Sequence, residues 1–180
     1  MEYTRNKLPE KVQSFFNKMS KYINSKIYFY GSIQRRDYLI NNSDIDICVF
    51  TDNSQTMIHK IQHFLHLKKD TFKKIMWTAH PSNTIVYGYK TKYKNKDLNI
   101  NLEITIYNEK YKNAILQQHI IKSELPFYAI FFLIMLKFMY YNLRIISKNQ
   151  FIYYKNKFTN ISVGHPDNNL FIISSPNVIY

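Results

Sequence analysis

An acidic pair inside an otherwise apolar strand is the feature that most constrains this chain. In the segment SDIDICVF, residues 43–50, Asp44 and Asp46 alternate with isoleucine and valine. Aspartate is depleted in strands, and side chains two residues apart point to the same face, about 7 Å apart along the strand. Two carboxylates on one face repel each other unless a positive charge lies between them. The segment therefore predicts a strand whose acidic face binds a cation.

The composition favours one folded domain, or a domain with a helical appendage. The 180 residues are 46% hydrophobic and 17% aromatic, which is enough for a core and unlike a disordered chain. Cys48 is the single cysteine, so it has no partner for a disulfide within the chain. This favours a reducing compartment. We therefore expect a cytoplasmic location, which would be the host cytoplasm if the source is a virus.

One apolar segment needs a membrane test. Residues 125–143, LPFYAIFFLIMLKFMYYNL, carry a single lysine, Lys137, and no other ionisable charge. The uncharged stretch before it has the length of a buried core helix, and a lysine well inside a membrane span is costly. The N-terminus also lacks the uninterrupted apolar stretch of a secretory signal. We expect a buried helix and no membrane association.

The formal net charge of +13 favours polyanionic partners such as nucleic acid or nucleotides. The excess of lysine, asparagine, isoleucine and tyrosine also fits the codon bias of an AT-rich genome, as in a large DNA virus, a protist or a low-GC bacterium. The charge is therefore compatible with nucleic-acid binding and does not by itself establish it.

Hydrophobic periodicity predicts alternating helices and strands. In chain order the predicted elements are a helix at 8–23, a strand at 27–30, a short helix at 33–39, a strand at 44–50, a helix at 52–69, a strand at 72–79, a hairpin of 83–93 and 97–107, helices at 109–121 and 124–147, and a short strand at 170–174. This order predicts an α/β (α+β) fold in which a mixed sheet packs on helices and a partial helical layer follows. We expect a core of residues 1–108 and a C-terminal helical region, 109–180, packed on it.

Several motifs occur in a characteristic order along the predicted core. Gly31-Ser32 ends a strand, Arg35 follows, SDIDICVF begins about ten residues later, and Glu103 lies in a later strand, INLEITIY. This pattern resembles the signature of the DNA polymerase β-like nucleotidyltransferase superfamily, which includes poly(A) polymerases, nucleotide second-messenger synthases and small bacterial nucleotidyltransferases. The resemblance covers residues 26–107. It implies a nucleotidyltransferase-type mixed sheet and a catalytic role for the core.

The residue types in these motifs suit nucleotidyl transfer. Gly31 has no side chain, so a phosphate can approach the backbone closely, and Ser32 offers a hydroxyl and an N–H at the start of a predicted short helix. The resemblance implies that Asp44, Asp46 and Glu103 are catalytic and hold two Mg²⁺ ions, for which Mn²⁺ can substitute. Such ions bridge triphosphate oxygens and lower the pKa of an attacking hydroxyl.

Some residues have two interpretations. The resemblance implies a nucleotide- and phosphate-binding set of Gly31, Ser32, Arg35, Ser43 and Lys137. Lys137 has the alternative of extending from the edge of a core helix to solvent, and Arg35 has the alternative of pairing with Asp37. The interleaved tyrosines and lysines of residues 87–94, YGYKTKYK, are typical of a base-stacking platform and equally of amphipathic strand packing.

Two positions depart from the family pattern. The third acid of the family is usually aspartate, whereas here it is Glu103, whose longer side chain would change the metal geometry or lower the activity. Arg36 stands where many relatives have glycine, which restricts the backbone of the loop. Asp97 is an alternative third acid, but it lies in a predicted turn, where aspartate has a structural use.

The expected function is a Mg²⁺-dependent nucleotidyltransferase that moves a nucleoside monophosphate from an NTP to an acceptor hydroxyl. The positive charge favours an RNA 3′ end as acceptor, as in a polyadenylase or terminal transferase. Two alternatives stay open: a minimal nucleotidyltransferase that modifies a small molecule or a protein, and a catalytically inactive relative that binds nucleotide or RNA. The expected partners are an NTP, RNA or another polyanionic acceptor, and a protein partner or second copy of the chain.

Overall fold

Five helices and six strands make up the described part of the chain. The structure is a computed structural model that describes residues 2–40, 42–68, 70–164 and 172–174. The helices are α1 (Glu10–Ile23), α2 (Ser54–Leu65), α3 (Lys112–Ser123), α4 (Phe127–Tyr141) and α5 (Lys148–Ser162). The strands are β1 (Tyr28–Tyr30), β2 (Ile45–Phe50), β3 (Lys73–Ala79), β4 (Thr84–Asn95), β5 (Ile100–Tyr107) and β6 (Ile172–Ser174). Short 3₁₀ turns, Gly31–Gln34 and Glu109–Tyr111, follow β1 and β5.

The strands form one mixed sheet in the order β1-β2-β5-β4-β3-β6. β2 and β5 run parallel, and the other neighbouring pairs run antiparallel. A parallel pair needs a long crossover, and here the chain between β2 and β5 runs through α2 and the β3–β4 hairpin. The register places Tyr30, Asp46, Glu103 and Lys92 opposite one another on four adjacent strands. The predicted α/β fold with a mixed sheet is confirmed.

The two faces of the sheet are covered by different helices. On one face α1 and α2 pack against β2 and β5 around a core that includes Val12, Phe16, Met19, Phe29, Ile47, Ile61, Leu102 and Ile104. On the other face Ile115 of α3 packs with Tyr28, Cys48, Phe50, Trp77 and Tyr107. Because side chains alternate along a strand, this second face also carries Asp46 and Glu103. We call it the acidic face.

Two predicted helices differ from the structure. Residues 33–39, predicted as a helix, form the end of the first 3₁₀ turn and a loop. The long helix predicted at 124–147 ends at Tyr141, and α5, which was not predicted, begins at Lys148. Ser147 and Gln150 form a capping box there: each side chain accepts a hydrogen bond from the backbone N–H of the other. The predicted strand at 170–174 overlaps β6, and its first two residues lie outside the described part.

The apolar helix α4 is buried on one side only. Phe132 stacks on Phe158 of α5 with the ring centroids 3.9 Å apart, whereas the Phe127 and Phe131 side chains on the outer side are exposed. The expectation of a buried helix is therefore wrong for this outer side. A helix that is apolar all round shows no periodicity that could identify its exposed face.

The membrane test rests on helix length and apolar content. In the described ranges, no single helix is long and apolar enough to cross a membrane. Two consecutive helical segments, Glu109–Ser123 and Phe127–Tyr141, are together long and apolar enough to cross a membrane, by length and composition only. The angle between them is 82°.

Gly88 of β4 leaves room for the ring of Tyr107. A Cβ at this position would lie 2.5 Å from Tyr107 Cδ1 and 2.7 Å from the Ile106 carbonyl oxygen. We expect Gly88→Ala to lower the free energy of unfolding by about 1–3 kcal/mol, because the added methyl overpacks the site. Urea denaturation followed by the fluorescence of Trp77, which donates to the Tyr107 hydroxyl at 3.2 Å, measures the change.

The control for this prediction is Ile85→Ala at an exposed position of the same strand. It should change the free energy of unfolding by less than about 0.5 kcal/mol. A Gly88→Ala variant as stable as the unmodified protein would show that the Tyr107 ring moves aside without cost.

Candidate active site

The three predicted acids lie in one electrostatic cluster on the acidic face. Asp46 and Glu103 are paired on adjacent parallel strands, about 4.8 Å apart as strands, and Asp44 lies just before β2. Burial raises the pKa of Asp46, and the negative charges of Glu103 and Asp44 add to this, so that the pKa reaches about 7. A bound cation would relieve this repulsion.

Two lysines of β4 engage Glu103. Lys90 Nζ lies 2.6 Å from Glu103 Oε1, and Lys92 Nζ lies 3.4 Å from Oε2. Among the described residues, no three His, Cys, Asp or Glu side chains are arranged to hold a metal ion. Asp44 and Asp46 supply the oxygen donors that Mg²⁺ prefers, whereas Glu103 has to turn away from its lysines to join them. The three-acid metal site stays a prediction.

Gly31 lies directly against Asp46. Its φ of +72° is in the left-handed region that favours glycine, and a Cβ there would overlap the Asp46 carboxylate oxygen Oδ2. Ser32 follows in the same 3₁₀ turn and is buried. The structure thus brings the Gly-Ser turn into contact with the acid cluster. Phosphate binding by Gly31 and Ser32 stays a prediction.

Asp37 pairs with two cations in the interior. Its carboxylate lies 2.7 Å from Arg35 Nε and 3.0 Å from Lys137 Nζ, and all three side chains are at most 4% exposed. Lys137 also donates a hydrogen bond to Ser43 Oγ at 3.0 Å. This network connects α4 to the loop before β2. It therefore restrains Ser43, the residue that precedes Asp44.

The network settles the structural alternatives for its two cations. Arg35 pairs with Asp37, and Lys137 is buried on Asp37 and Ser43, so it does not extend to solvent. A lone lysine in an apolar helix is a local sequence pattern. It could not indicate that the counter-ion, Asp37, lies 100 residues earlier in the chain. Contacts of Arg35, Ser43 and Lys137 with phosphate stay predictions.

The interleaved residues of the segment 87–94 separate onto the two faces of the sheet. Tyr89 and Tyr93 pack against the core beneath α1 and α2, whereas Lys90 and Lys92 reach Glu103 on the acidic face. Tyrosines and lysines on opposite faces cannot form one base-stacking surface. The interpretation as amphipathic strand packing is confirmed.

Two cations near the site were missed by sequence reasoning. Lys155 of α5 is half-buried and close enough to Asp46 to lower the pKa of that carboxyl. Lys122 lies in the last turn of α3, where burial and then Arg35 lower its pKa to about 8. Lys155 was missed because α5 was not predicted, although the S-x-x-Q signal at residue 147 could have indicated its start.

A paired acid cluster beside a Gly-Ser turn on a mixed sheet is the arrangement that the resemblance to the nucleotidyltransferase superfamily implies. Residues 9–130 match the sequence profile described as nucleotidyltransferase domain. The match covers about two thirds of the chain and contains the three acids and the Gly-Ser turn. The chain belongs to this family.

Solved structures of two kinds are similar to the chain. The Cid1 poly(U) polymerase with MgGTP bound is 15% identical, with a TM-score of 0.39, over 72% of this chain and 40% of that one. The STING-associated CdnE c-di-GMP synthase from Capnocytophaga granulosa is 14% identical, with a TM-score of 0.46, over 88% and 59%. The chain thus spans less than two thirds of the length of each of these proteins. A comparison with curated protein sequences finds no match.

The charge of Asp37 stabilises the fold. Asp37→Asn would leave Arg35 and Lys137 buried without a counter-ion, and breaking a buried pair in this way costs about 3–5 kcal/mol. We expect urea denaturation to show a loss of this size in the free energy of unfolding. Asp52→Asn, at an exposed aspartate of the turn before α2, should change the stability by less than about 0.5 kcal/mol. A small effect of Asp37→Asn would show that the two cations find other partners.

The same carboxylate predicts a pH dependence. Burial alone would raise the pKa of Asp37, but Arg35 and Lys137 together lower it below its ordinary value. Its stabilising contribution is therefore complete above the unfolded pKa of about 3.9 and is lost as the pH falls through the folded pKa. Between about pH 5 and pH 2, the unmodified protein should lose more stability than Asp37→Asn. Equal losses of stability in the two proteins would show that protonation of Asp37 does not cause the loss at low pH.

Proposed function

We propose that the protein transfers a nucleoside monophosphate from an NTP to the 3′ hydroxyl of an RNA acceptor and releases pyrophosphate. The observation that carries the proposal is the register of β2 and β5, which sets Asp46 beside Glu103 while Gly31 lies against the Asp46 carboxylate. These pieces come from three separate parts of the chain, all within the residues that match the family. The net charge of +13 supports a polyanionic acceptor.

Asp44 and Asp46 would hold the divalent ions, Mg²⁺ or Mn²⁺, and Glu103 is the proposed third ligand. When bound, the ions neutralise the triphosphate and lower the pKa of the attacking hydroxyl. The donor set supports this proposal, because burial and neighbouring acids raise the pKa of Asp46 to about 7 in the absence of such a charge.

The chain's own residues would position the donor nucleotide. The backbone at Gly31 and the N–H and hydroxyl of Ser32 are suited to a phosphate next to Asp46. Lys155, whose charge acts on the same carboxylate, is proposed to form a charge-assisted hydrogen bond with a triphosphate oxygen. The Asp37 network holds the loop that carries Asp44. Nucleotidyl transfer depends mainly on such charge neutralisation and in-line positioning.

The first test removes the acids one at a time. We expect Asp44→Asn and Asp46→Asn each to abolish transfer and to leave the fold intact or slightly more stable, because each removes a mutually repelling charge. The assay follows labelled NTPs with an RNA primer and Mg²⁺ or Mn²⁺. Asp52→Asn is the control and should retain full activity.

The products of this assay separate the alternatives. Extension of the primer supports the proposal. Labelling of the protein itself or of a small acceptor, without extension, would instead indicate a minimal nucleotidyltransferase, and no labelling would indicate an inactive binding relative. Wild-type turnover in either acid variant would rule out the metal-binding assignment.

The second test concerns Lys155. Lys155→Gln should lower kcat/KM for the NTP about 10- to 100-fold, because a hydrogen bond to a charged group contributes roughly 1.5–3 kcal/mol. Lys157→Gln, two residues later on the exposed side of α5 beside Tyr153, is the matched control and should retain kcat/KM. Equal kcat/KM in the two variants would exclude Lys155 from donor binding.

A further inference from the structure

Four lysines share the acidic face beside Glu103. Lys92 lies opposite Glu103, and alternation along β4 puts Lys90 and Lys94 on the same side. Lys73 of β3 lies opposite Lys90. We call Lys73, Lys90, Lys92 and Lys94 the lysine row. The row adjoins the acid cluster at Glu103, which lies opposite Lys92.

Every formal charge in the segment around the lysine row is positive. Residues 71–96 contain six lysines and no acid. Lys73 and Lys94 are exposed, and the Lys92 side chain is 67% exposed. Lys73 and Lys90 lie directly opposite each other, and although Lys90 is paired with Glu103, two cations in these positions weaken the pairing of β3 with β4. A polyanion bound on this face would therefore stabilise the hairpin that bears them.

The dimensions of the row suit a chain of phosphates. Lys90, Lys92 and Lys94 recur about every 7 Å along β4, so the row is longer than a single phosphate or a small acceptor requires. Lys92 is two strands from Asp46, about 10 Å across the sheet. A flexible polyanion on the row can therefore place its end at the acid cluster.

We propose that the lysine row binds the sugar-phosphate backbone of a single-stranded nucleic acid whose 3′ end lies at Asp46. This inference rests on the proposed function and specifies where its acceptor lies. The nearby tyrosines of β4, Tyr89 and Tyr93, pack on the opposite face of the sheet. The row therefore contacts phosphates rather than bases, and such contacts carry no direct sequence information.

The test measures binding of a labelled single-stranded RNA oligonucleotide to the full chain by fluorescence anisotropy, without NTP. The variant is Lys73→Gln/Lys94→Gln, because Glu103 is engaged by Lys90 and Lys92 and keeps both partners. The matched control is Lys11→Gln/Lys18→Gln, two exposed lysines of α1 on the opposite face. Both double variants lose the same charge.

The row variant should bind about 10-fold more weakly, and the slope of log K against log salt should fall by about 1.4, since each phosphate contact on a single strand contributes about 0.7. The control should bind like the unmodified protein. Equal losses in both variants, or no loss in the row variant, would overturn the proposal. So would binding of an acidic peptide, poly-glutamate, at the row in preference to RNA.

Primer extension separates this inference from the proposed function. If the unmodified protein extends the primer, the row variant should show a raised KM for RNA. An unchanged KM would overturn RNA binding by the lysine row but leave the proposed function intact. If RNA binds through the row but no labelled product forms, the function fails and the row stands. A DNA strand of the same sequence in the binding assay tells whether the row distinguishes the two sugars; weaker binding of RNA than of DNA would overturn an RNA acceptor.

Discussion

The parallel pairing of β2 with β5 is the constraint on which the rest of the structure depends. The pair is buried on one face by isoleucines and leucines packed beneath α1 and α2, and a shift of one residue would turn every side chain of a strand to the other face. Burial of the apolar set thus fixes the face on which Asp46 and Glu103 both lie, and the observed register places them side by side. The position of the candidate catalytic acids is a consequence of core packing.

Two ion clusters in the molecule have opposite characters. Around Asp37 one carboxylate has two close cations and all three side chains are buried, so the negative charge of the carboxylate is fully paired within the protein. Around Asp46, burial and the charges of Glu103 and Asp44 outweigh the opposing charges of Lys155 and Lys90, and the pKa of Asp46 is raised to about 7. The first arrangement connects α4 to the loop before β2. The second arrangement is suited to binding a cation that the protein itself does not supply.

Much of the candidate site could be predicted from sequence, since its residues occur in short motifs. Asp44, Asp46 and the Gly-Ser turn are local patterns, and the alternation from Leu98 to Ile106 already put Glu103 on the polar side of its strand. The partners of Lys137 and Glu103 could not be predicted, because both depend on contacts between residues distant in sequence. Lys155 was missed with its helix, whose polar and apolar residues show only weak periodicity.

The sequence by itself determined the order of the strands, the acid pair and the lysine-rich strand β4, because alternation and turn residues act over a few neighbouring positions. Only the tertiary structure decided which lysines engage Glu103, which carboxylate pairs with Lys137, and that the lysine side of β4, rather than its tyrosine side, faces the acids. These outcomes depend on strand register and on the crossover through α2, which bring together side chains that no local pattern relates.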